Sequence, residues 1–176
     1  FEPFITVANA FQFFAGALGM FQNGLNGCSK TAAQFVNELQ PLFNFFQAVL
    51  DPGGEVLIPS SFWVSSPAMV WLAGGRPVFV PSEEKEGFRL LADAVRPLIT
   101  PRTKALIVNS PSNPTGCGLE RTELEALAAL AVERDLFVVS DESYEPLTYD
   151  GFRHVSIAAL GLGTAQLLHL ALPALP

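Results

Sequence analysis

Positive charge is scarce in this sequence. Ten lysines and arginines face seventeen aspartates and glutamates, giving a formal net charge of −7. That balance excludes nucleic acid as a partner, because phosphates demand a basic face. Cysteine is scarcer still, with Cys28 and Cys117 the whole complement. Two thiols so far apart give neither a disulfide framework nor a metal-binding spacing, and the expected location is the reducing cytoplasm. His154 and His169 lie far apart and no carboxylates cluster, so no metal site is expected. Repeats and low-complexity linkers are missing too. From Pro3 to Ser29 there is no charge of either sign. The run FITVANAFQFFAGALGMF is nearly long enough to span a bilayer. Asn9 and Gln12 interrupt it and no Lys or Arg precedes it, so a buried helix is expected rather than a signal peptide or membrane span. The last stretch, GLGTAQLLHLALPALP, is equally apolar and ends without charge or cap.

What is present reads as a globular domain with a real core: 49% of the 176 residues are apolar and 15% charged. Leu42, Phe45, Phe46, Val49 and Leu50 fall on one face of a helix that DPGG stops. EVLIPS reads as a short buried strand. SSP supplies a cap and a first-turn proline for a helix through AMVWLA, which Gly74 and Gly75 end. RPVFVP is a second strand, and LLADAVRPLI a short helix disturbed by Pro97. KALIVNS is a third strand, apolar enough for burial on both faces. The next helix has Thr122 and Glu125 in capping-box spacing, with Leu124, Leu127, Ala128 and Ala131 inward. LFVVSDE is a fourth strand. Strands alternating with helices predict a three-layer α/β/α domain with a mostly parallel sheet. Ligands in such sheets bind beyond the carboxyl ends of the strands, where PSSFW, NSPSNPTG and SDESY all fall.

NSPSNPTG alone is accounted for by a turn. Joined through a helix and a strand to SDESYE, it resembles the fold-type I pyridoxal-phosphate enzymes, specifically class I/II aminotransferases of the aspartate aminotransferase type. The resemblance runs from Leu42 to Ala159 and takes in LFNFFQAVLDPGGEVLIPSSFWVSSPAMVWLAGGRPVFVP and ITPRTKALIVNSPSNPTG. It implies part of the large domain of such a transferase, with pyridoxal 5'-phosphate as cofactor and an amino acid and a 2-oxo acid as substrates. The complete family form is a homodimer. Asp141 matches the carboxylate that binds the pyridine nitrogen, and Asn113 and Tyr144 match the donors to the phenolic oxygen. Two such donors lower the proton affinity of the neighbouring imine. Trp63 matches the aromatic that stacks on the ring. Glu142, Glu145 and Asp150 are expected to cap or to be solvated.

The resemblance fails at both ends. Gly27, Cys28, Ser29 and Lys30 look like the family's phosphate loop, where backbone N–H groups and the helix dipole hold the anion. In the family that loop runs almost directly into the LFN helix, whereas here TAAQFVNELQP intervenes and Pro41 breaks a continuous helix. Either an insertion has shifted the loop or the match is chance. The family's Schiff-base lysine lies downstream of SDExY, but here no lysine follows Lys104. Lys30 lacks the right context, so no catalytic residue is assigned. The expected layout is a divergent apolar segment over 1–26, a partial transferase domain over 27–160, and a divergent apolar tail over 161–176. With about four strands and no strand of the right period in either end, an open sheet edge and a tendency to associate are expected. The expected activity is amino-group transfer in the complete form, with this chain inactive. A non-catalytic or partner-dependent fragment, a membrane-anchored protein, and another enzyme of the same fold type (a lyase or decarboxylase) are the alternatives.

Overall fold

The structure, a computed structural model, describes residues 41–161 and 167–170. Helix α1 covers 41–49 and ends at the Asp51–Gly54 turn, as the apolar spacing and DPGG require. Strand β1 (Glu55–Pro59) leads to α2 (Ser65–Leu72) and β2 (Arg76–Val80). A short α3 (Ala92–Val95) passes into a 3₁₀ turn at Arg96–Leu98, where Pro97 sits, and then into β3 (Thr103–Asn109). Helix α4 (Arg121–Glu133) returns the chain to β4 (Phe137–Asp141), and a fifth strand, β5 (Leu167–Leu170), closes the described part. All four pairings are parallel, in the order β2-β1-β3-β4-β5.

Side chains alternate across this sheet and divide the core in two. Val56, Ile58, Ala105, Ile107 and Val139 face Phe46, Met69 and Val70 from α1 and α2. Leu57, Leu106, Val108 and Val138 face Leu124, Leu127, Leu130 and Val95 from α4 and α3. Both faces of the central strands are covered, so their middles are apolar on both sides and the three-layer expectation holds.

Three expectations need correction. The capping box of α4 uses Glu120 and Glu123, not Thr122 and Glu125. Glu123 accepts the Glu120 backbone N–H at 2.7 Å, so the helix begins a residue before Thr122 and places that threonine inside its first turn. Helix α2 has no side-chain cap, because Val64 already has helical angles and the Ser66 N–H donates to the Trp63 carbonyl at 3.0 Å. Strand β5 lies in the apolar tail where no strand was expected. Its run LLHL is too short for a periodicity that tells a strand from a helix, so it gave no signal.

The amino edge of the sheet is clamped by one buried carboxylate. Glu55, 2% exposed, accepts hydrogen bonds from Thr100 Oγ1 at 2.6 Å and Arg102 Nη2 at 3.0 Å, with Arg76 Nη1 at 3.5 Å. Among the described residues no helix is long and apolar enough to cross a membrane. The uncharged run from Pro3 to Ser29 lies outside them.

Candidate active site

Strand order reverses between β1 and β3: the chain leaves β1 for β2 on one side and continues from β3 to β4 on the other. Such a switch point opens a crevice at the carboxyl edge. Trp63 stands on the β1–α2 loop there, half-buried against the cluster of Phe46, Met69 and Ile58. Asn109 ends β3 in register with Asp141, which ends β4. The Asn109 side chain braces both loops: Nδ2 donates to the Asp141 carbonyl at 3.1 Å, and Oδ1 accepts the Asn113 N–H at 2.7 Å. The Gly116 N–H donates to the Ser112 carbonyl at 2.8 Å, with Gly116 in the left-handed region at φ 71°. That conformation favours glycine. Ser110 Oγ accepts the Leu119 N–H at 2.9 Å and ties the far end of the loop to the start of α4.

So held, Asn113 reaches across to the β4 turn, where its Nδ2 donates to the Tyr144 hydroxyl at 3.0 Å. Asp141 sits on the same turn. Its Oδ1 accepts the Ser143 hydroxyl at 2.7 Å and the Ser143 N–H at 3.2 Å, while Oδ2 has no partner among the described residues. The structure therefore brings Asn113, Tyr144 and Asp141 onto two adjacent loops and sets Trp63 on the same edge. The NSPSNPTG stretch turns the chain and presents a donor. Gly27, Cys28 and Ser29, with Lys30, lie outside the described residues.

Neither described lysine approaches these groups. Lys85 pairs with Glu83, and Lys104 pairs at 3.7 Å with Asp51 at the amino edge. Burial pushes the Cys117 thiol up, which disfavours its thiolate form. Glu142, expected to cap or to be solvated, does neither through its side-chain bonds to Ser140, His154 and Ser156. It is 3% exposed and accepts hydrogen bonds from Ser140 Oγ at 2.7 Å and Ser156 Oγ at 2.8 Å, with His154 Nε2 at 3.0 Å. Glu145 and Asp150 are exposed as expected. Sequence reasoning also passed over Asn109 and Ser143. A polar residue closing an apolar strand was the available signal for Asn109.

The family model for aminotransferase class I and II matches residues 37–171. The chain belongs to that family. The match runs past Ala159 and takes in β5. Over 130 residues this aminotransferase-family chain is 53% identical to the aspartate/prephenate aminotransferase of Thermus thermophilus, an alignment covering 74% of this chain and 34% of that protein. It is 49% identical to the aspartate aminotransferase of Bacillus subtilis over 68% of this chain and 30% of the other. Among solved structures, it is similar to the Thermus thermophilus aspartate aminotransferase with maleate, at TM-score 0.71 and 52% identity over 75% of this chain and 34% of that one. It is also similar to N-succinyldiaminopimelate aminotransferase of Mycobacterium tuberculosis, at TM-score 0.69 and 41% identity over 74% of this chain and 34% of the other. The chain spans about a third of the length of these relatives. The fold is that of the fold-type I aminotransferases.

Proposed function

We propose that this chain forms the ring-binding part of a pyridoxal-phosphate-dependent aminotransferase that moves an amino group between an amino acid and a 2-oxo acid. The observation that carries the reading is the hydrogen bond from Asn113 to Tyr144 beside an Asp141 oxygen left open. This donor set fits a pyridoxal ring. Asp141 Oδ2 is free to hold a proton at the pyridine nitrogen, and the Tyr144 hydroxyl, accepting from Asn113, keeps its own proton to donate to a phenolic oxygen. Trp63 supplies an aromatic face at the same edge, and Gly27, Cys28 and Ser29 keep their sequence assignment to the phosphate. When bound, the cofactor supplies an electron sink for bond breaking at the substrate's α-carbon.

The relatives' names differ in substrate, so the reading commits to amino-group transfer and not to one side chain. For the complete protein it includes a homodimer in the cytoplasm, supported by family membership and by the sparse cysteines. A second reading, binding without turnover, is favoured by one observation: the two described lysines are held away from the site, Lys85 by Glu83 and Lys104 by Asp51.

Two measurements test these readings. Titration with pyridoxamine 5'-phosphate should show binding that Tyr144→Phe weakens about tenfold, the net worth of a good hydrogen bond. Unchanged affinity removes Tyr144 from the site. Treatment with pyridoxal phosphate and borohydride, followed by digestion, should give only weak, scattered lysine labelling. Stoichiometric labelling at one lysine, Lys30 above all, would decide for turnover by this chain.

A further inference from the structure

A buried carboxylate next to the proposed site is one that the reading above does not use. Asp141 and Glu142 are neighbours in sequence yet sit in different surroundings: Asp141 is half-buried at the crevice, whereas Glu142 is enclosed. Ser140 reaches it from β4, and His154 and Ser156 reach it from the segment leading to the 3₁₀ turn Ile157–Ala159. The Ser156 hydroxyl that donates to Glu142 also accepts the Ala158 N–H at 3.2 Å, so the carboxylate is tied to the first residues of that turn. The His154 side chain is 9% exposed, and its Nδ1 has no hydrogen-bond partner among the described residues. An orphaned buried acceptor is better tolerated than an orphaned N–H, which puts the ring proton on Nε2, donated to Glu142. On the main chain, Glu142 is the first corner of the turn that carries Tyr144, because its carbonyl accepts the Glu145 N–H at 2.9 Å. The side chain of Glu142 is thus anchored on one side of the turn, and the Tyr144 hydroxyl meets Asn113 on the other.

We propose that Glu142 is a positioning residue for the Asn113–Tyr144 pair, its buried carboxylate fixing the turn that holds the Tyr144 hydroxyl in place. The proposal rests on the reading of that pair as part of the ring site. Its structural half can be tested without any cofactor, by the exchange with water of the Asn113 side-chain amide protons followed by NMR. Tyr144→Phe sets the rate of the unpaired amide. Glu142→Ala should raise the wild-type rate about tenfold, as expected for the loss of one hydrogen bond's net worth. Ser156→Ala, which removes one hydroxyl and leaves the core intact, should raise it in the same direction and decides the matter if Glu142→Ala does not fold. Glu142→Gln retains an oxygen for the two serines but sets its amide N–H groups against the His154 Nε2–H, and should raise the rate less than Glu142→Ala does. Glu55→Gln, a destabilising change at the opposite edge of the sheet, should leave the rate unmoved. Wild-type exchange in both Glu142→Ala and Ser156→Ala, or an equal rise in Glu55→Gln, would overturn the proposal.

The second arm is a double-mutant cycle on pyridoxamine 5'-phosphate affinity. If Glu142 acts through Tyr144, Glu142→Ala should cost much less in the Tyr144→Phe background than in wild type. Additive losses would refute that route. A wild-type chain that shows the expected exchange pattern but binds no pyridoxamine 5'-phosphate would sink the ring-site reading while supporting the positioning of the turn.

Discussion

Two acidic residues on the β4 turn look alike in sequence and differ in what they face. Asp141 shares one oxygen with Ser143 and leaves the other open, whereas Glu145 is exposed. Asp141→Asn should therefore weaken pyridoxamine 5'-phosphate binding, and Glu145→Gln should not. A charge-assisted hydrogen bond contributes roughly 1.5–3 kcal/mol, which puts the expected ratio of the two affinities at about tenfold or more. Equal effects, measured by calorimetric titration, would take Asp141 out of the site. Glu142 cannot serve as the neutral control in this comparison, since its burial gives it a structural hold on the same turn. That burial was invisible in sequence. A glutamate after an apolar strand reads as solvent-facing, and what encloses it, His154 and Ser156, lies 12 and 14 residues farther along the chain. Asn113, Tyr144 and Asp141 were legible because they sit in two motifs at the ends of consecutive strands.

At the level of elements, the sequence announced the alternation of strands and helices plainly, because the helices carry a 3.6-residue period and glycine or proline marks most of their ends. It was ambiguous where two side chains compete for one role. Both Thr122/Glu125 and Glu120/Glu123 are spaced for a capping box, and only backbone geometry chooses the second. Glu123→Ala, which removes the acceptor of the Glu120 N–H, should accordingly cost about 1 kcal/mol, the usual worth of a helix cap, while Thr122→Ala should be near neutral. Denaturant unfolding of the two variants checks this, and a larger loss for Thr122→Ala would return the cap to the threonine. Strand β5 marks the other limit. Its four residues have no period of their own and acquire a meaning only by lying beside β4.

For the whole molecule, the two edges of the sheet divide the work. The carboxyl edge carries the candidate site, and the amino edge carries the Glu55 clamp. Hydrogen bonding from Thr100, opposed by desolvation and reinforced by Arg102 and Arg76, holds the Glu55 carboxyl below its ordinary value of 4.5. A carboxyl with a lowered folded pKa stabilises the fold above its unfolded pKa, and that stabilisation is lost as pH falls through the folded value. Thermal midpoints should thus decline as pH drops below about 4.5, with a shallower decline in Glu55→Gln. Parallel curves for the two proteins would show that the clamp contributes nothing to acid sensitivity.

The division of the sheet also sets an order in time. Asn113 and Tyr144, 31 residues apart, follow the two strands that the β3–α4–β4 crossover joins, so forming that one crossover is enough to bring them together. Synthesis runs from the amino end, so β3, α4 and the β4 turn are all made before β5. Both partners of the donor pair are thus in the chain before the strand that flanks β4 is added.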